Sequence, residues 1–111
     1  MERFVKGDIV VIPFPFSDLS DAKRRPALVL VSLGGEDIIL CQITSQNIRD
    51  QYAIHLDTSD FESGSLRKIS NIRPNRIFTA DRRIIIYKIG TLNHEKIQSV
   101  INTVVEILKT D

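Results

Sequence analysis

The side chains of this sequence best placed to do chemistry are cationic or hydroxylic. Arg25 stands directly before Pro26 and the apolar run Ala27-Leu28-Val29-Leu30-Val31. At a strand entrance a rigid element holds the planar guanidinium fork, which can then be aimed at a phosphate. Such a group stabilises the charge of a phosphorane-like transition state without a metal. Thr44, Ser45 and Gln46 close a second apolar run with two hydroxyls and an amide, all able to orient a phosphate or a sugar hydroxyl. The same three residues would also make a capped turn exit. With the basic segment of residues 67–83, these features favour a phosphodiester ligand over an acidic protein surface.

Other constellations are missing. There is no glycine-rich phosphate loop. His55 and His94 lie far apart, and neither has ligand spacing to another histidine or cysteine. His55 falls in a strand pattern and reads as an ordinary half-buried residue. Cys41, the only cysteine, sits in an apolar run, which favours burial over nucleophilicity and excludes an intrachain disulfide framework. The acids of residues 57–62 match no calcium-loop spacing and read as a solvated turn.

A chain of 111 residues, 42% hydrophobic and 26% charged, fits one domain over residues 1–111. The N-terminus carries Glu2, Arg3, Lys6 and Asp8 and does not read as a secretory signal; no stretch approaches the roughly 20 apolar residues of a membrane span. A reducing, cytoplasmic setting is the expectation. The formal net charge of +1 hides a segregation. Residues 26–66 hold six acids against the single base Arg49, whereas residues 67–88 hold seven bases against Asp81 alone, and Lys23-Arg24-Arg25 precedes both. Such asymmetry says more about partners than the total does.

The elements that must position these groups are mostly short strands. Asp8 to Ile12 is β-branched and apolar, ended or confined to a sheet edge by Pro13 and Pro15. Ala27 to Val31 and Asp37 to Ile43 form a hairpin around Gly34-Gly35. Ala53 to Leu56 is a third paired region, followed by a turn-rich loop to Gly64. Ile69 to Arg73 is stopped by Pro74, Arg76 to Thr79 is a separate short piece, and Arg83 to Ile86 is a strand or a connector. Ile97, Val100, Ile101, Val104, Val105 and Leu108 make one apolar stripe on a helix over residues 93–109, with Asn93 as N-cap, and the stripe packs against the sheet. The pattern predicts a mostly-β or α+β fold, a small barrel or twisted sheet with a C-terminal helix.

The ordered set Lys6-Gly7-Asp8-Ile9-Val10, Pro13-Phe14-Pro15-Phe16 and Lys23-Arg24-Arg25-Pro26-Ala27-Leu28 strongly resembles the opening of the MazF/PemK toxin family. Ile43-Thr44-Ser45, Ser70 to Arg73, Ile77-Phe78-Thr79-Ala80-Asp81 and Ile89-Gly90-Thr91-Leu92 extend the resemblance over essentially the whole chain. It implies a small SH3-like barrel of the PemK/CcdB type and a homodimer without cofactor or metal. It also implies metal-independent, sequence-specific cleavage of single-stranded RNA, with a cognate antitoxin on the same face. Arg25 matches the family arginine that stabilises the scissile phosphate or protonates the leaving oxygen, Thr44 the threonine beside it, and Arg73 a further active-site arginine of some members. Lys23, Arg24, Ser45, Gln46, Ser70, Asn75 and Arg76 are the accompanying substrate-binding residues. Where such members carry an aspartate proposed as general base, this sequence has Asn75, and an amide takes no proton at neutral pH.

RNA carries its own nucleophile, so positioning and electrostatics can supply most of the acceleration, leaving a 2′,3′-cyclic phosphate and a 5′-hydroxyl. Selectivity is expected in residues 17–23, 46–51 and 63–68, with Phe16, Tyr52 and Phe61 as stacking candidates. Two other classes make different predictions. A gyrase-directed poison on the same architecture requires an aromatic C-terminal ending, and the tail here is Ile107-Leu108-Lys109-Thr110-Asp111. A barrel that binds nucleic acid or protein without catalysis predicts salt-sensitive binding and no product.

Overall fold

A computed structural model describes residues 3–14 and 23–111. Among these residues, seven antiparallel strands form one curled sheet: β1 (Asp8–Phe14), β2 (Lys23–Ser32), β3 (Asp37–Thr44), β4 (Ile54–Leu56), β5 (Phe61–Gly64), β6 (Ser70–Asp81) and β7 (Tyr87–Leu92). Their order is β4-β6-β3-β2-β1-β7-β5, and the helix α1 (His94–Lys109) follows β7. The result is the mostly-β half-barrel with a C-terminal helix that the sequence implies.

Strand alternation splits the apolar residues between two faces. Ile9, Leu28, Leu30, Cys41, Ile43 and Ile72 face one side, where Val100 of α1 and Leu92 complete a core with Ile97, Ile101 and Val104 packed against it. Val10, Ile12, Ala27, Val29, Ile38 and Leu40 face the other, covered by Phe4, Phe78, Ala80 and Ile85. The helix begins where expected, because the Asn93 side chain accepts the Lys96 N–H at 2.8 Å. The stripe packs on the sheet through its middle, while Val105 and Leu108 at its C-terminal end remain exposed.

The motif Lys6-Gly7-Asp8 has a mechanical reason. Gly7, at φ 97°, turns the chain so that its N–H reaches the Val29 carbonyl at 2.9 Å. The buried Asp8 carboxylate then accepts the Val5 N–H and the Thr91 hydroxyl, tying β1 to β7.

Two expectations are corrected and one open choice is resolved. Pro74 does not end a strand: β6 runs unbroken through it, because the register with β3 jumps from Gln42↔Arg73 to Cys41↔Ile77 and leaves Pro74, Asn75 and Arg76 as extra residues in a bulge. At a bulge the missing proline N–H removes no ladder bond. Phe61–Gly64 is a strand within what reads as loop, paired to β7 by the close approach of Gly64 and Gly90. Of the two readings of residues 83–86, the connector holds: Arg82–Ile84 is a single 3-10 turn capped by Asp81, and β7 begins at Tyr87.

Candidate functional site: a cationic, hydroxylic end of the sheet

The face that buries Ala27 and Leu40 continues outward as polar residues. By alternation along each strand, Arg25 follows Ala27, and Gln42 and Thr44 follow Leu40, on that same face. In β6, Arg73 is paired with Gln42 and Asn71 with Thr44, so these too share the face. Continuing the β2/β3 register two residues beyond Ala27↔Gln42 brings Arg25 level with Thr44. Directly opposite residues on one face have Cβ atoms about 5 Å apart. Three adjacent strands thereby gather Arg25, Thr44 and Arg73.

Arg25 is half-buried and paired across β1 to Ile12, and its side chain makes no ion pair or hydrogen bond among the described residues. Lys23 and Arg24, both exposed at the same strand entrance, pair with Phe14 and Pro13; alternation puts Lys23 on the Arg25 face and Arg24 on the other. Thr44 accepts the Gln46 N–H at 3.1 Å, which makes the turn exit the sequence allowed for and leaves the hydroxyl hydrogen to donate elsewhere. Ser45 and Gln46 are exposed in that turn. Ser70 goes elsewhere: it is 3% exposed, shares the Ile72 face, and donates its hydroxyl to the Lys68 carbonyl. Asn75 and Arg76 stand exposed on the bulge.

A carboxylate belongs to this cluster that sequence reading assigned only to a selectivity loop. Asp50 lies between β3 and β4, its side chain 9% exposed, and its Oδ2 accepts Arg73 Nη2 at 3.1 Å. The Tyr52 N–H donates to Oδ1 at 2.9 Å and the Ala53 N–H to the Asp50 carbonyl at 3.0 Å, a turn built from Asp50 itself. The Tyr52 N–H holds the Asp50 carboxyl below its ordinary range; hydrogen bonds from Arg73 and from the Asn75 amide act in the same direction, and burial opposes them. Arg73 Nε is buried without a partner among the described residues. The local signature Asp50-Gln51-Tyr52 marks an Asx turn, but a pairing across 23 positions leaves no local pattern.

The remaining chemistry-bearing residues are engaged elsewhere. Burial pushes the Cys41 thiol up to about 12, so it is protonated and inert at neutral pH. His55 is exposed and bonded to Asp57. Asp57 and Asp60 cap the 3-10 turn Thr58–Asp60 reciprocally, which is the turn role read for them. Among the described residues no three histidine, cysteine, aspartate or glutamate side chains converge as metal ligands, and no helix is long and apolar enough to cross a membrane. A groove of about 540 Å³ beside the strand ends is lined by Ser45, Ser65, Arg67, Lys68, Tyr87 and Lys88, with no acidic wall. Phe16 and most of the 17–23 loop lie outside the described residues.

The fold and site define a small antiparallel half-barrel with a cationic, hydroxyl-bearing end. The chain belongs to the PemK-like, MazF-like toxin family of type II toxin–antitoxin systems, whose model matches residues 5–108. It is similar to MazF (Form-I) from Deinococcus radiodurans, with TM-score 0.77 and 17% identity over 99% of this chain and 100% of that one. The Mycobacterium tuberculosis toxin MazF-mt6 matches with TM-score 0.72 and 15% identity over 94% and 98%. An endoribonuclease in complex with its cognate antitoxin, from a mycobacterial species, matches with TM-score 0.73 and 11% identity over 100% and 98%. At these identities the likeness is one of fold. No curated protein matches the chain in sequence.

Proposed function

We propose that this protein is a toxin endoribonuclease that cuts single-stranded RNA by attack of the substrate's own 2′-hydroxyl. The observation that supports this reading most is the convergence of Arg25, Thr44 and Arg73 on one face of β2, β3 and β6, within a family of toxins whose structural relatives include an endoribonuclease. Arg25 neutralises the nonbridging oxygens of the scissile phosphate, and the Thr44 hydroxyl donates to one of them. Arg73 adds charge from the neighbouring strand. The P–O2′ bond forms as P–O5′ breaks. The 2′-hydroxyl proton passes to solvent, the 5′-oxygen takes one up, and the products end in a 2′,3′-cyclic phosphate and a 5′-hydroxyl. No step uses a metal. Lys23, Arg24 and Arg76 hold the flanking phosphates, Ser45 and Gln46 contact the neighbouring nucleotides, and Ser70 supports the Lys68 backbone from beneath.

The site is built in the cytoplasm on a homodimer, and a cognate antitoxin silences it by laying an acidic segment over the same cationic end. Cleavage of a mixed-sequence RNA in excess chelator, with end-group analysis of the products, is the test. Uncut RNA, or cutting that requires added divalent metal, overturns the reading. Asn75, in place of a carboxylate, favours one second reading, a barrel that binds RNA without cutting it; salt-sensitive binding with no product on a denaturing gel would establish that instead.

A further inference from the structure

We propose that Asp50 is a positioning residue of the ribonuclease site: from the β3–β4 loop it fixes the direction of the Arg73 guanidinium. The inference rests on the RNA-cleaving reading above and assigns a role to a residue which that reading leaves unused.

Asp50 is fixed before it meets Arg73. Its Oδ1 accepts the Tyr52 N–H and its carbonyl accepts the Ala53 N–H, so the loop's own backbone sets the direction of the carboxylate. Oδ2 then takes Arg73 Nη2 at 3.1 Å. A guanidinium held through one nitrogen by a rigid acceptor has its plane restrained, and its remaining N–H groups are offered in a fixed direction. Asn75 follows two residues on, exposed in the bulge that Pro74 introduces.

The carboxylate itself is a poor proton acceptor, since both oxygens are already occupied by donors. It therefore acts through Arg73. A rigid, turn-held carboxylate also differs from a stand-in for the substrate phosphate, which would have to leave before Arg73 could work.

Asp50→Asn isolates the charge. Asparagine keeps the turn bond to the Tyr52 N–H, but presents a donor or a neutral acceptor to Arg73. The expected result is a kcat lowered about 10- to 100-fold in chelator, the loss produced by misplacing reacting groups by about 1 Å. Affinity for a mixed-sequence 2′-O-methyl RNA, which cannot be cut, should hold or tighten, because Arg73 keeps its charge and loses its neutralising partner. Its log–log salt slope should steepen by up to about 0.7. Asp50→Ser, which keeps a turn acceptor without charge, should behave alike, and both should melt cooperatively.

Wild-type cutting with equal kcat in Asp50→Asn overturns the inference and leaves the ribonuclease reading intact. A parallel loss of kcat, RNA affinity and thermal stability in both variants also overturns it, because it shows a structural role alone. Failure of the wild type to cut overturns the ribonuclease reading and the inference together.

Discussion

Arg25 can be removed from this protein at almost no structural cost, which makes it a sharp test of chemistry. Its side chain has no hydrogen-bond or ion-pair partner among the described residues, and it stands at the outer margin of the Ile12–Ala27 core rather than within it. Arg25→Ala leaves no buried group unpaired, so stability should change by no more than about 0.5 kcal/mol, the usual range for a substitution away from such features. Catalysis should respond very differently. Losing one preorganised donor to the transition-state oxygens typically costs about 3–4 kcal/mol, or roughly 10²- to 10³-fold in kcat. Arg25→Lys keeps the charge but not the planar fork, so RNA binding should survive while cutting falls by at least about tenfold. Arg73→Ala is the structural contrast. It strips the partner from an Asp50 carboxylate only 9% exposed, and should lose about 1–3 kcal/mol of stability besides activity. The assay is a denaturing gel of end-labelled RNA in chelator, run beside thermal unfolding of each variant. Wild-type cutting by Arg25→Ala would refute the assignment, as would an Arg25→Ala protein that is inactive because it has unfolded.

The Cys41 thiol, pushed up to about 12 by burial, should present about one thiolate in ten thousand at pH 8; a disulfide reagent should therefore label it only in denaturant, and rapid native labelling would contradict its placement. Gly64→Ala should detach β5 from β7 and destabilise by about 2 kcal/mol or more, since φ is +75° and an added Cβ would overlap the Ile89 carbonyl oxygen; an unchanged melting temperature would contradict that packing. Asp50 has a native pKa below the ordinary 3.8, so its contribution is present at higher pH and is lost as pH falls through the native value. Acid unfolding of Asp50→Asn should accordingly be shallower below about pH 4 than that of the wild type, and superimposable curves would argue against the ion pair.

How far the sequence announced this structure depends on the kind of interaction that decided each part. Alternation and β-branched runs located β1 to β3, and the apolar stripe with Asn93 located α1, because both signals are local. Pro74 misled, since a proline reads as a strand end unless the partner's register is known, and the bulge exists only in the pairing of β6 with β3. Phe61–Gly64 carries little strand propensity; pairing with β7 at Gly90 makes it a strand. Arg25, Thr44 and Arg73 were legible as types at strand ends, and their sharing of a face follows from three registers that no single segment contains. Asp50 was illegible as a site residue for the same reason. Its turn is local, but its purpose lies with an arginine on another strand.

Charge illustrates the point most directly. In sequence, residues 67–88 form one basic block. In the fold the block is divided by the length of β6. Arg82 and Arg83 lie near Asp37↔Asp81, the far end of the β3/β6 ladder, and are met there by Glu36 and Asp81. That end is about 23 Å from Thr44, counting seven strand residues at about 3.3 Å each. Lys88 is within 3.9 Å of Asp8. Of the cations without a carboxylate among the described residues, Lys23, Arg24, Arg25, Arg67, Lys68 and Arg76 lie near the Thr44 end of the sheet and its neighbouring groove, whereas Arg3 and Lys6 lie beside Arg82 and Lys109 ends the helix. A net charge of +1 thus conceals a group of unpaired cations gathered near the Thr44 end. A phosphodiester chain drawn by that field arrives where the hydroxyls are, and at 1 M salt, with a Debye length of about 3 Å, the steering should vanish while cutting of already bound RNA persists. An association rate indifferent to salt would mean that the uneven charge has no part in finding the substrate.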